Sequence, residues 1–194
     1  MYKSTLPTMS ELIKLKTNHR DLLCYQKAEA IYDMTYFFAN KFLERGDRTR
    51  DQMVQAARSG KQNIIEGYAA SATSIESELK LMNVAKSSLQ ELYADYEDYL
   101  RVRHLARWEN SSEAFKKAQE LGRKHNDSAF WAELIEERSD ETIANLALIL
   151  IHQADFMLHK FIEQIGERFT REGGFREHLT RTRLQHRDKK TENN

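Results

Sequence analysis

The chain has 194 residues, with 30 basic against 30 acidic side chains, seven glycines, one proline and one cysteine. That length holds one domain with a real core and excludes two large ones. So few turn-formers exclude a many-stranded β fold, and a lone Cys24 excludes an internal disulfide and suits a reducing cytoplasm.

Residues 1–21 are polar, carry the only proline (Pro7) and read as a flexible lead-in. The N-terminus has no apolar signal-peptide stretch. No apolar run approaches the roughly 20 residues of a membrane span, so the expected location is the cytoplasm. From Leu22 a helical stripe sets in, with Cys24, Ala28, Ile31, Thr35, Phe38 and Phe42 at spacings of four and three. Gly46 is the expected stop. Asp47 or Thr49 can cap the second helix, and Thr49 with Gln52 resembles a capping box. The seam of that helix reads Met53, Ala57, Gly60, Ile64, Gly67, Ser71. A glycine inside a helix costs on the order of 1 kcal/mol, and a closely packed neighbouring backbone is the usual compensation. The other reading is a glycine that admits a ligand.

The sequence Thr73-Ser74-Ile75-Glu76 fits the S/T-x-x-E capping pattern, which predicts Thr73 as the cap of a third helix running to about Arg107. Its seam is Met82, Ala85, Leu89, Leu92, Tyr96 and Tyr99. Tyr93, Tyr96 and Tyr99 lie among Asp95, Glu97 and Asp98, where packed rings with surface hydroxyls are the expected arrangement. Residues 108–139 break the rhythm and read as an insertion. One short helix lies near Ser112–Leu121 with Gly122 as its stop, and another runs from about Asp127 through Ile135. This insertion is expected on the bundle end, over the overhang of the long helices. The last long helix begins near Ser139 or Asp140 and carries Ile143, Ala147, Leu150, Ala154, Met157, Phe161 and Gln164 on its seam. It is expected to end by Gly173-Gly174. From Arg171 to Asn194 there are seven basic and four acidic residues, so residues 173–194 read as a basic, partly disordered suffix.

Four long amphipathic segments without a strand signal predict an all-α, up-down four-helix bundle spanning 22–172. At this point the stretch Ala57–Leu92 becomes specific. Asn63-Ile64-Ile65-Glu66-Gly67, the small residues after it, and the run Asn83 to Leu92 resemble the four-helix-bundle family of proteins encoded by intervening sequences in bacterial 23S rRNA genes. The accessory bundle protein of diversity-generating retroelements is related to that family. The resemblance covers about Tyr25 to Leu100, and the ending Phe169–Arg187 looks like the subgroup with a C-terminal suffix. It implies a homo-oligomer, with barrel-like pentamers among the relatives, and no catalytic residues, cofactor or metal. The retroelement relative binds nucleic acid through a strongly basic surface; this chain, with balanced charge, departs from it.

Three places can carry function. Arg45, Arg48, Arg50, Arg58 and Lys61 make a basic cluster across the first corner, suited to phosphates, although Glu44, Asp47 and Asp51 interleave with it. In the suffix, Arg176, Arg181, Arg183 and Arg187 can grip RNA or dock on a partner or neighbouring subunit. His152-x-x-Asp155-x-x-x-His159 puts three metal-capable side chains on one side of the last helix, without the paired Glu-x-x-His motifs of a di-metal bundle. Gly60, Asn63, Glu66, Gly67, Thr73 and Glu76 are expected to be structural, with Glu66 bracing the corner or meeting a basic residue across a subunit interface. Cys24 falls on an apolar seam and reads as core, and mid-helix Ser87 and Ser88 read as small packing residues. No phosphate loop, CxxC pair or zincin helix is present. The expectation is a non-enzymatic homo-oligomeric adaptor that binds RNA, DNA or a nucleic-acid-associated protein. The alternative is a purely structural or protein-interaction module, with a metal-dependent enzyme behind both.

Overall fold

The computed structural model describes residues 18–172, together with Leu184. The arginines of the suffix, and residues 1–17, lie outside the described residues. The described chain is all-helical. There are four long helices, α1 (Leu23–Phe42), α2 (Arg48–Ala70), α3 (Ile75–Val102) and α6 (Asp140–Glu172), and two short ones, α4 (Glu113–Lys124) and α5 (Ser128–Ile135), lie in the chain between α3 and α6. The long helices pack in a closed ring: α1 on α2, α2 on α3, α3 on α6, and α6 back on α1. α3 and α6 run antiparallel. Tyr99 meets Asp140 at one end, Gln90 meets Asp155 in the middle, and Glu78 meets Arg168 at the other.

Residues 18–21, at the end of the expected lead-in, are helical in part. Asn18 caps a 3₁₀ turn, His19–Asp21, by accepting from the backbone of Arg20, and the His19 ring packs on Tyr25 and Tyr68. α1 then stops at Phe42, not at Gly46. Gly46, with φ of 101°, serves instead the tight turn in which the Asp47 N–H returns to the Glu44 carbonyl, a place that needs a positive φ. Asp47 caps α2 by accepting from the Thr49 N–H at 2.9 Å. At the next corner Ser74, not Thr73, is the cap, accepting from the Ser77 N–H at 3.2 Å. The Thr73 hydroxyl is turned back onto the Ala70 carbonyl, so the expected Thr73–Glu76 box does not form.

α3 also ends before Arg107. His104 takes the left-handed conformation (φ 56°), its N–H returns to Arg101, and the Leu105 N–H returns to Leu100. These are the two closing bonds of a Schellman cap. Histidine stands where glycine is usual, which is why periodicity alone carried the helix too far.

Residues 108–139 lie along the flank of the bundle, not on its end as expected: α4 packs on α6, and α5 packs on α1. The segment descends along α6, where Ala106 and Trp108 bond to Asn145 and Gln119 bonds to Gln153, and it returns along α1, where Ser128 bonds to Asp33 and the Glu136 carbonyl accepts from Lys41. This explains two burial patterns that one seam per helix does not. Residues 143–151 of α6 are buried all round, and α1 buries Tyr25, Lys27 and Ala30 beside its predicted stripe. A helix apolar on every side is one covered on every side. Lower down α6 the seam passes through Leu158 and Ile165; Met157 and Phe161 are half-buried, and Gln164 is exposed. Gly122 does not stop α4. It is buried inside the helix, and a Cβ there would clash with the Gln153 amide. Its carbonyl accepts from the buried Lys27 ammonium, which also donates to the His125 carbonyl at 3.1 Å.

Candidate functional site

The expected basic cluster divides when folded. Arg50 and Lys61 point back to α1: Arg50 donates to the Asn40 side chain, and the Lys61 ammonium lies 4.1 Å from the Tyr32 ring centroid. Arg45, Arg48 and Arg58 are exposed. Arg58 is ten residues beyond Arg48, about 15 Å along the axis at 1.5 Å per residue, so it belongs to the middle of the bundle and not to its end. The fold supplies a replacement. α3 finishes at the end where α1 turns into α2, and Arg103, its ring partner Tyr99 4.0 Å away, reaches the field of Asp47. The Asp47 carboxyl is held below the usual carboxylate range, chiefly by the Thr49 N–H and hydroxyl, with Arg103 adding to the effect. Arg103 belongs to this basic end and is absent from any linear reading of the corner, because the helix end that carries it is more than 50 residues downstream.

The Asn63–Gly67 stretch is a packing device. Gly60 and Gly67 are buried where α2 meets α3: a Cβ on Gly60 would lie 2.7 Å from Leu89, and one on Gly67 2.9 Å from the methyl of Met82. Asn63 donates to the Ser59 carbonyl at 2.9 Å, and the Ser59 hydroxyl meets that of Ser88 at 2.9 Å, so the small residues of the two helices are joined by a polar contact as well. Glu66 is exposed and accepts from Gln62 one turn back at 3.3 Å; Glu76 is exposed in the first turn of α3.

His152, Asp155 and His159 are on α6 as expected, but each is otherwise engaged or directed. Asp155 accepts from Gln90 at 3.1 Å and lies 3.8 Å from Lys86, both on α3, while His159 meets Glu163 at 3.2 Å. Among the described residues, no group of three such side chains is placed to hold a metal ion. The tyrosines of α3 are likewise committed one by one. Tyr96 is fully buried and donates to Thr35, its phenol pushed upward by burial. Tyr99 donates to Asp140 at 2.8 Å and is pushed up to about 12, by burial first and then by that carboxylate. Cys24 is buried, and burial lifts its thiol to about 11, far from a reactive thiolate.

The described surface also contains a cavity of about 410 Å³ that no sequence motif announces. Its walls come from three places: Tyr93 on α3, the Arg107–Asn110 loop, and Phe115 with Gln119 on α4. Its floor is α6, from Asn145 through Leu148 and Ile149 to His152 and Gln153. The loop is pinned. Asn145, buried inside α6, accepts from the Trp108 N–H at 2.7 Å and donates to the carbonyls of Ala106 and Glu141, both at 2.9 Å. Glu141 accepts from the Ala106 N–H at 3.0 Å. Arg107 donates to the Tyr93 hydroxyl at 2.7 Å and pairs with Glu97. Burial raises the Tyr93 phenol, the Arg107 charge opposing it. No motif marks Trp108 or Phe115 as site residues; an asparagine near the start of the apolar run Ile143–Ile151 is the signal that points to the pinned loop.

No helix among the described residues is long and apolar enough to cross a membrane. No family model matches the chain, and no curated protein or solved structure matches it.

Proposed function

We propose that this protein is a non-enzymatic, cytoplasmic helical-bundle adaptor that assembles as a homo-oligomer and turns its α1–α2 end toward nucleic acid or a nucleic-acid-associated protein. The observation that carries the reading is the juxtaposition at that end of Arg45 and Arg48 from the first corner with Arg103 from the close of α3. Repeated around a ring of subunits, such an end multiplies phosphate contacts, and association then weakens steeply with salt. The resemblance of Ala57–Leu92 to the 23S rRNA intervening-sequence family supports the bundle, the oligomer and, through the relatives, a pentameric ring. The burial of Cys24 and Tyr96, the Tyr99–Asp140 hydrogen bond and the contact of His159 with Glu163 support a role without catalysis.

The test is binding of generic RNA and DNA by the intact protein at low and moderate salt, with its mass in solution measured alongside. One multi-subunit species is expected, with affinity falling as salt rises. Arg45→Glu with Arg48→Glu should weaken both nucleic acids alike and reduce the salt slope by about one per contact removed. A monomer removes the oligomer. Absence of binding at low salt by the assembled oligomer removes the nucleic-acid half and leaves the second reading, a protein-interaction module. That reading is favoured by exposed Phe156 and Tyr36, 60% and 54% accessible, and is supported by recovery of one specific protein partner in nucleic-acid-free preparations.

A further inference from the structure

We infer that the cavity between the Ala106–Trp108 loop and α6 binds a nucleobase. Its volume, about 410 Å³, lies in the range of small-ligand sites, on the order of 300–1,000 Å³. Its walls stand in place before any ligand arrives, because Asn145 fixes the backbone on both sides of Arg107 and Arg107 itself is tied to Tyr93 and Glu97. A site that needs no ordering loses less of its binding energy.

The lining selects the chemistry. Three aromatic residues, Tyr93, Trp108 and Phe115, line a small space that Leu148 and Ile149 also border, which favours a planar ring. Asn110, Gln119 and His152 supply donors and acceptors around it, so an aliphatic guest would leave polar groups opposite carbon. Among the described residues no carboxylate lines the cavity, which disfavours a cation. The one guanidinium is already compensated by Glu97, which disfavours a bare anion. A flat nitrogen heterocycle with N–H and C=O groups on its edge meets all four conditions, and that is a nucleobase. Its source is either a free nucleotide or a base unstacked from a single strand. Arg103, four residues before Arg107, belongs to the basic end, so phosphates of a strand held there lie toward the loop that forms the cavity wall. The inference itself stands on the cavity and not on the basic end.

The experiment is calorimetric titration of the full chain with nucleoside monophosphates, a short single-stranded oligonucleotide, an abasic oligomer of equal length, and inorganic phosphate. Base-bearing probes are expected to bind and the last two to bind much more weakly. Trp108→Ala should cost about 10-fold or more, the size of one base–aromatic stacking contact. Should that variant not keep its helical circular dichroism, His152→Trp decides, because it adds a ring at an exposed position on the cavity floor and should abolish base binding without touching the core. Monophosphate binding lost in these variants assigns the site to a free nucleotide; oligonucleotide binding without monophosphate binding, lost in the same variants, assigns it to a strand. Equal binding of abasic and base-bearing oligomers, no binding of any probe, or base binding unchanged by both substitutions, overturns the inference. Reversing Arg45 and Arg48 should leave monophosphate binding unchanged, so failure of the basic end and failure of the cavity read out separately.

Discussion

Lys27 is the residue whose environment departs furthest from its habit. It is fully buried on α1, with two backbone carbonyls at the close of α4 as acceptors, and burial pushes its ammonium down from 10.5 to about 8. Between those values the unfolded chain holds a proton that the folded chain has released, so stability rises with pH in that window and is flat below it. Measured by urea unfolding against a Lys27→Met reference, which cancels the alkaline contributions of Cys24 and the tyrosines, the wild type should gain about 2 kcal/mol between pH 7 and pH 9.5. A difference that stays constant or falls would show that the ammonium is not desolvated. The seam glycines separate by what stands over them. Gly60→Ala drives a methyl against Leu89, whose branched side chain is locked in the core, and should cost about 1–2 kcal/mol despite the gain in helix propensity. Gly67→Ala meets first the terminal methyl of Met82, an unbranched chain that can swing aside, and should cost less, near zero after that gain. Thermal unfolding of the two variants ranks them.

At the scale of elements, the corner between α2 and α3 is a case in which adjacent residues compete for one role. Both Thr73 and Ser74 are good caps, and the capping-box pattern favours Thr73 through Glu76. The chain uses Ser74, because Ser71 and Thr73 turn their hydroxyls back to Tyr68 and Ala70 to finish α2 first. Ser74→Ala should therefore lower stability by about 1 kcal/mol and Thr73→Ala by much less. The reverse order in chemical denaturation would restore Thr73 as the cap. The same competition explains α3. Its stripe continues past Val102 on paper, yet His104 accepts the left-handed conformation and closes the helix, which releases Arg107 and Trp108 to form the cavity wall.

For the whole molecule, the flank formed by α4 and α5 is part of the core and not an ornament. Trp131 of α5 is 1% accessible and its indole N–H donates to the His125 carbonyl, the same carbonyl that Lys27 reaches from α1. One cooperative transition is the expected consequence. In urea, Trp131 emission recorded in a Trp108→Phe background should track helical circular dichroism with a common midpoint. An earlier transition in the tryptophan signal would mean that the flank folds separately. The buried Tyr96–Thr35 hydrogen bond, which joins α3 to α1 across the ring of helices, should be worth about 1 kcal/mol in Tyr96→Phe, a change that removes the hydroxyl and keeps the ring.

Helix type, the approximate span of the long helices and the close approach at Gly60 and Gly67 are legible in the sequence, because periodicity and small-residue spacing are local properties of each segment. The helices' ends are less so, since Gly46, Thr73 and Gly122 each fit a stop or cap that a neighbour provides instead. Only the tertiary structure decides what lies beside what: Arg103 with the first corner, Trp108 on Asn145, and the insertion along α1 and α6. The all-round apolar run of α6 states that something covers its outer face, but not which segment does so. That choice depends on chain connectivity and on long-range hydrogen bonds from Asn145, Gln153 and Lys27, which have no spacing rule. The cavity exists only because those bonds hold a loop away from a helix, and so it has no trace in linear order.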